Sequence, residues 1–134
     1  MNNDLLVFNL GQQRYALPVG QVASVVPRAS LTPLPGAPVD LIGLLRLRGA
    51  LCPVIDIRAR LGSPVGVPHI GECIVVMHTR TFRIGLLADG IDGVAAPERP
   101  VRGVLEISGH VVAMLDAEAI VGNDVRAYLA TEAA

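Results

Sequence analysis

Three residues, Gly49, Asp56 and Gly62, recur sixty positions on as Gly109, Asp116 and Gly122, and the residues between them match in type. The first copy reads Gly49-Ala-Leu-Cys-Pro-Val-Ile-Asp56 and the second Gly109-His-Val-Val-Ala-Met-Leu-Asp116. In each, a glycine closes a hairpin and an apolar strand follows. An aspartate then stands where it can N-cap one helical turn, and a glycine ends the turn where the backbone needs positive φ. A looser pair, Val22-Ala-Ser-Val25 and Ile91-Asp-Gly-Val94, lies sixty-nine positions apart, which shortens one loop of the second copy. The chain is therefore an internal duplication. Halves of a 134-residue chain are marginal alone, so they are expected to share an apolar interface and unfold together. The expected organisation is one domain over 1–134, with pseudo-repeat lobes at about 1–66 and 67–122 that are free to exchange strands, and Pro64 to Gly71 as the connector.

Fourteen Gly and ten Pro cut an apolar content of 51% into short segments rich in β-branched residues. That pattern belongs to small all-β barrels and sandwiches, not to helical bundles. The strand candidates are Leu5 to Leu10, Arg14 to Leu17, Val22 to Val26, Ile42 to Arg48, Leu51 to Ile55, Cys73 to His78, Phe82 to Ala88, Ile91 to Ala95, Val104 to Ile107 and His110 to Leu115. A short helix is expected over Asn123 to Ala134, N-capped by Asn123, with Val125 and Leu129 inward and Arg126 and Glu132 exposed. A charged fraction of only 17% excludes disorder, and no apolar run approaches the ~18 residues that span a bilayer, so direct membrane insertion is not expected. Met1-Asn2-Asn3-Asp4 has no cationic stretch ahead of the first apolar segment, so a cytoplasmic location is expected.

Eleven basic residues, all Arg, against twelve acidic ones leave a net charge of −1, without the basic excess that nucleic acid requires. His69, His78 and His110 have no metal-ligand spacing, and no serine or cysteine has a nucleophile setting. No metal, no cofactor and no catalytic residue is expected. Cys52 and Cys73 read as reduced core thiols, since no C-x-x-C is present. The acidic stretch Gly85-Leu-Leu-Ala-Asp89-Gly90-Ile-Asp92-Gly93 lacks the lysine of a phosphate loop and the ligand spacing of a calcium loop. With two Phe and two Tyr, there is no aromatic platform for stacking bases either.

What remains is Gly43-Leu-Leu-Arg46-Leu-Arg48-Gly49. Strand alternation puts Leu45 and Leu47 on one face and Leu44, Arg46 and Arg48 on the other. Two guanidinium groups then stand beside a glycine turn, in a residue type that anchors many protein interfaces.

The run from Gly43 through Pro53-Val-Ile-Asp56-Ile-Arg58 closely resembles the G-x-x-N-L-R-G-x-x-x-P-x-x-D-L-R signature of CheW-like domains, the adaptors of bacterial chemosensory arrays. Phe8-Asn-Leu-Gly11 with Tyr15-Ala-Leu and Val22-Ala-Ser-Val25, Ile84 to Val94, and Gly109 to Asp116 fit the same family in the expected order. The resemblance implies two five-stranded SH3-like or OB-like barrels around a shared core. It implies a non-enzymatic adaptor, recruited to receptor arrays at the inner face of the membrane, that couples methyl-accepting chemoreceptor tips to the regulatory domain of the histidine kinase CheA. By motif, Arg48 is the signature arginine, Gly49 follows it, and Val22, Val25, Gly85, Ile91 and Val94 hold strand positions associated with these contacts. Arg46 stands where the signature has Asn, Ser24 where an acidic residue is common, and Ala95 to Arg102 is shorter than the usual loop. Two rival readings are an adaptor for a non-flagellar pathway of surface motility or gene regulation, and a β-barrel binding a small ligand between lobes.

Overall fold

The structure, a computed structural model, describes residues 3–63, 68–96, 100–101 and 104–132. Eleven strands form among them: β1 (Leu5–Leu10), β2 (Gln13–Pro18), β3 (Val22–Pro27), β4 (Leu41–Leu47), β5 (Ala50–Ile55), β6 (Cys73–His78), β7 (Arg83–Ala88), β8 (Gly90–Ala95), β9 (Pro100–Val101), β10 (Val104–Ile107) and β11 (His110–Met114). Two helices close the chain, α1 (Ala117–Ile120) and α2 (Asn123–Glu132). All ten expected strands are present within a residue or so of their expected ends, and the short β9 is additional.

The strands make a six-stranded sheet in the order β8-β1-β2-β11-β10-β9 and a five-stranded sheet in the order β3-β6-β7-β5-β4. Both are antiparallel except for one parallel pair each, β2 with β11 and β5 with β7. Neither sheet comes from one half of the chain. The β6–β7 hairpin fills the centre of the sheet whose other strands are β3, β4 and β5, while the β1–β2 hairpin fills the same place among β8, β10 and β11. The two repeats have traded hairpins, and the two strand orders correspond apart from β9, which has no counterpart strand. The expected barrels do not close, because each sheet ends in two edge strands with no hydrogen bonds between them.

This exchange explains why β1 and β6 are buried on both faces. Leu6, Phe8 and Leu10 alternate into one large core with Val75, Met77, Ile84 and Leu86 of the other sheet. Ile120, Val121 and Val125 close that core from the helices. The intervening Leu5 and Val7 face a small core with Leu105 and Val112 inside the six-stranded sheet, and Ile74 and Val76 face Leu45, Cys52 and Val54 inside the five-stranded one. The period of two thus serves two cores at once. Cys52 and Cys73 are both free and buried.

The repeated motif splits in its details. Asp116 caps α1 as expected: its Oδ2 accepts the Ala119 N–H at 3.2 Å, while Oδ1 accepts from Gln21 Nε2 at 2.8 Å. Asp56 caps the single turn that follows it, as expected: its Oδ1 accepts the Arg58 N–H at 3.1 Å, and the Arg58 side chain adds Nε and Nη2 donors at 3.0 and 2.8 Å. Gly62 has the expected positive φ of 82°, and Gly122 does not. Asn123 is the first residue of α2 rather than its cap. The expected connector is described only in its second part, 68–71, and much of the shortened 95–102 loop lies outside the described residues.

Arg58 is 4% exposed and is met by three carboxylates. Besides Asp56, its Nη1 lies 3.2 Å from Glu72 and 2.7 Å from Asp89. Glu72 also pairs with Arg28 at 2.7 Å, and Asp89 accepts the Gly11 N–H from the β1–β2 turn at 2.5 Å. One guanidinium therefore joins β5, β6 and β7, and Asp89 carries the network across to the other sheet. Burial alone raises the Asp89 pKa, but the Gly11 N–H, His69 and Arg58 outweigh it and hold the carboxyl below its ordinary 3.8. Since folding lowers this pKa, the stabilisation is whole above the unfolded value and is lost as pH falls through the native one.

Arg58→Ala leaves three carboxylates facing one another and is expected to cost about 3–5 kcal/mol in urea unfolding, against about 1 kcal/mol for the cap variant Asp116→Ala. Stability is expected to fall as pH drops below about 4, and Asp89→Asn to show a shallower acid loss in urea titrations from pH 7 to pH 3.

Candidate functional site

The β4–β5 hairpin closes directly from Leu47, which pairs with Ala50, through Arg48 and Gly49 at φ 50° and 81°. Its repeat counterpart closes from Ile107 to His110 through Ser108 and Gly109 at φ 51° and 81°. Left-handed backbone at both central residues is the type I′ turn, whose twist matches that of the strands and which favours Asn-Gly. Arg48 is therefore a turn residue and not the last strand residue. The alternation that grouped it with Leu44 and Arg46 does not set its direction. An arginine held at positive φ costs the fold of order 1 kcal/mol.

Arg48 stands on the rim of a groove of about 1000 Å³. One wall is Val22, Ala23 and Ser24 of β3; the other is Leu47 and the β5 residues Ala50 to Pro53. The end is formed by His78, Phe82 and Arg83 at the β6–β7 turn and by Arg126 and Leu129 of α2. Although β3 and β4 are opposite edges of the sheet, β3 and the β4–β5 turn line the same groove, so the sheet curls around its small core and leaves one end open. Cys52 forms part of the floor, where burial pushes its thiol pKa up and keeps it uncharged at neutral pH.

Three arginines and no carboxylate line this groove. Arg48 and Arg83 have no side-chain hydrogen bond or ion pair among the described residues. Arg126, expected in solvent, is half-buried: it donates to Glu118 Oε2 at 3.1 Å and to Val121 O at 3.3 Å, with its guanidinium 5.9 Å from the Phe82 ring centre. The repeat-related cleft on the six-stranded sheet is about 340 Å³ and differs chemically. Ser108 replaces Arg48 there, and Arg14 is bound to Asp92 at 2.6 Å. Burial raises the Asp92 pKa, but Arg14 and Asn9 outweigh it and hold the carboxyl low.

The structure brings Val22 and Arg48 together at the groove, with Gly49 next to Arg48 in the turn but outside the lining. Val25 is exposed on β3, and Arg46 is exposed on β4, outside the groove lining. Ile91 and Val94 lie on β8 of the other sheet, with Val94 at the smaller cleft. Gly85 is not a surface residue: a Cβ there would sit 2.5 Å from Ile74 Cγ2 and 3.2 Å from Val54 Cγ2, so the glycine admits two fully buried neighbours. His78, Phe82, Arg83 and Arg126 were not singled out as site residues from sequence. Their signal lies in the hairpin exchange, which carries β6 and β7 into the sheet of Arg48.

Among the described residues, one trio has metal-ligand chemistry: atoms of His69, Glu72 and Asp89 lie within 4.8 Å of one another. Arg58 Nη1 already bonds both carboxylates, so a cation there would have to displace a guanidinium.

A fold of two curled sheets with exchanged hairpins and an open groove defines a docking domain. The family model for the CheW-like domain matches residues 4–125, and the chain belongs to that family. It is 27% identical over 139 residues to the chemotaxis protein CheW of Rhizobium meliloti, covering 92% of this chain and 90% of that one. Protein PilI of Pseudomonas aeruginosa is 30% identical over 87 residues, covering 64% of this chain and 48% of that protein. The crystal structure of the scaffolding protein TtCheW from Thermoanaerobacter tengcongensis has the same fold, with a TM-score of 0.81, 23% identity, and coverage of 93% and 91% of the two chains.

Arg48→Asn restores the favoured turn pair and is expected to raise stability by about 0.5–1 kcal/mol. Gly85→Ala is expected to lower it by about 1–3 kcal/mol through overpacking. Thermal melts of the two variants shifting the same way would contradict this reading.

Proposed function

We propose that this protein is a non-enzymatic adaptor that couples the signalling tips of methyl-accepting chemoreceptors to the regulatory domain of the histidine kinase CheA. The observation that carries the reading is the open apolar groove edged by Arg48, Arg83 and Arg126, in a chain of the CheW-like family. Its walls offer burial to apolar side chains of a partner segment, and two of its guanidinium groups are left for that segment's carboxylates or carbonyls. Val22 lies inside the contact and Val25 extends it along β3. Ile91 and Val94 on the other sheet give a second, separate face.

An adaptor with two faces on one rigid core transmits by geometry. A shift in the partner on one face biases the placement of the partner on the other through differential binding. Each face is expected to bury about 800 Å² or less, giving micromolar pairwise affinities that assembly into arrays makes cooperative. No helix among the described residues is long and apolar enough to cross a membrane. Recruitment to arrays on the cytoplasmic face then comes from the receptor contact.

A second reading keeps the adaptor role and changes the pathway to one for surface motility or gene regulation. Similarity to Protein PilI and to Protein FrzA of Myxococcus xanthus, 30% identical over 93 residues, favours keeping it in view.

Arg48→Asn separates binding from folding, because it is expected to stabilise the chain while removing one of the groove's two unpaired guanidinium groups. Calorimetric titration with a receptor signalling fragment and with a CheA regulatory domain is expected to show a loss of about 2 kcal/mol toward at least one of them. Unchanged affinity for both would remove Arg48 from the interface.

A further inference from the structure

The groove at the open end of the five-stranded sheet has the dimensions of a small-molecule site as well as of a docking surface. Its volume of about 1000 Å³ stands at the upper end of the roughly 300–1,000 Å³ typical of such sites. Val22 and Ala23 on one wall, Leu47, Leu51 and Pro53 on the other and Leu129 at the end make its lining largely aliphatic. Leu51 is 55% exposed there, so apolar surface is left in water. Phe82 is the one aromatic residue of the lining, and the Arg126 guanidinium lies over its ring, so a planar ligand has little to stack on. Among the described residues Arg48 and Arg83 have no side-chain partner, and no carboxylate lines the groove to neutralise them. The smaller cleft of the other repeat is the internal comparison: Ser108 stands in place of Arg48, and Arg14 is neutralised by Asp92 at 2.6 Å. Free cations and a large aliphatic lining thus occur together in one of the two related sites.

We propose that this groove is a binding site for a small aliphatic carboxylate of the fatty-acid class, its alkyl chain along the β3 and β5 walls and its charge met by Arg48 and Arg83. The fork of a guanidinium matches a carboxylate, and such charge-assisted bonds are the strong ones. Each methylene that leaves water for the aliphatic walls adds to the binding. A nucleotide fits poorly, because its base has no platform and most of the lining cannot hydrogen-bond to it. Binding needs neither receptor nor kinase. Its consequence rests on the adaptor reading: the ligand claims the same walls and the same two guanidinium groups as the partner segment, so it competes with the partner and lowers coupling as its concentration rises.

Calorimetric titration of the full chain with decanoate, kept below its micelle concentration, is expected to show one saturable site with a Kd of about 10–100 µM. 1-Decanol, which keeps the chain and loses the charge, is expected to bind about tenfold more weakly, and decyltrimethylammonium more weakly still. Arg83→Met and Arg48→Asn are each expected to weaken decanoate binding about tenfold, the first without moving the melting temperature. Arg80→Gln, exposed at the same β6–β7 turn but outside the lining, is expected to leave it unchanged. The proposal is overturned by the absence of saturable decanoate binding below about 1 mM, or by decanol binding as tightly as decanoate. It is overturned equally if Arg80→Gln weakens binding as much as Arg83→Met, which would mark general attraction of an anionic surfactant. Decanoate that binds with the expected pattern yet leaves the affinity for both a receptor fragment and a CheA regulatory domain unchanged would uphold the site and remove the partner segment from the groove, so the two readings fail separately.

Discussion

A guanidinium taken out of water has to be met on its donors, and Arg58 meets that demand with carboxylates from three separate segments. Asp56 follows β5, Glu72 precedes β6 and Asp89 follows β7, so the charge can be satisfied only when all three segments have arrived. Asp89 then fixes the β1–β2 turn through the Gly11 N–H, which sets one sheet against the other. A hydrophobic core tolerates small sliding between layers, whereas a bidentate ion pair with further fixed acceptors does not. That directional joint complements the non-directional burial around Phe8, Met77 and Leu86.

On this frame the two repeats have diverged at the ends of their hairpins while keeping the backbone. Both hairpins use the same left-handed turn, but one presents Arg48 beside an apolar groove and the other presents Ser108 beside a small cleft whose arginine is already bound. Both Arg48 and Ser108 stand at positive φ, where Gly, Asn and Asp are favoured, so both turns carry backbone strain, and one of them displays a free cation. The duplication thus supplies two similar platforms, and single side chains decide what each can hold.

The strands were legible from segment length, β-branched content and the glycine and proline breaks between them, and the duplication from Gly49, Asp56 and Gly62. Three features escaped for identifiable reasons. Periodicity extended β4 through Arg48 because a side-chain pattern does not report the sign of φ, and the turn became visible only once Leu47 was seen to pair with Ala50. Asp56 and Asp116 look alike in sequence and each accepts a backbone N–H of the turn that follows, but Asp56 also holds the Arg58 guanidinium, a role completed by Glu72 and Asp89 from other segments. The groove's far end escaped because it is built from the exchanged hairpin and from α2, and no local pattern in one repeat announces that the other will complete it. Gly85 carried a family motif, but its reason is the packing of Ile74 and Val54.

The traded hairpins also govern the order in which this chain can become a folded object. As it leaves the ribosome, the first repeat holds β1 and β2 with no sheet to enter, and β3, β4 and β5 with an empty slot where β6 and β7 belong. The five-stranded sheet cannot be completed until β7 has been synthesised, nor the six-stranded one until β11, so the nascent N-terminal half waits with unpaired edges and exposed leucines and valines. Joining strands so distant along the chain is slow compared with closing a local hairpin. During that interval a neighbouring nascent copy offers the same missing hairpin, which makes synthesis the stage at which interchain entanglement and chaperone demand are greatest.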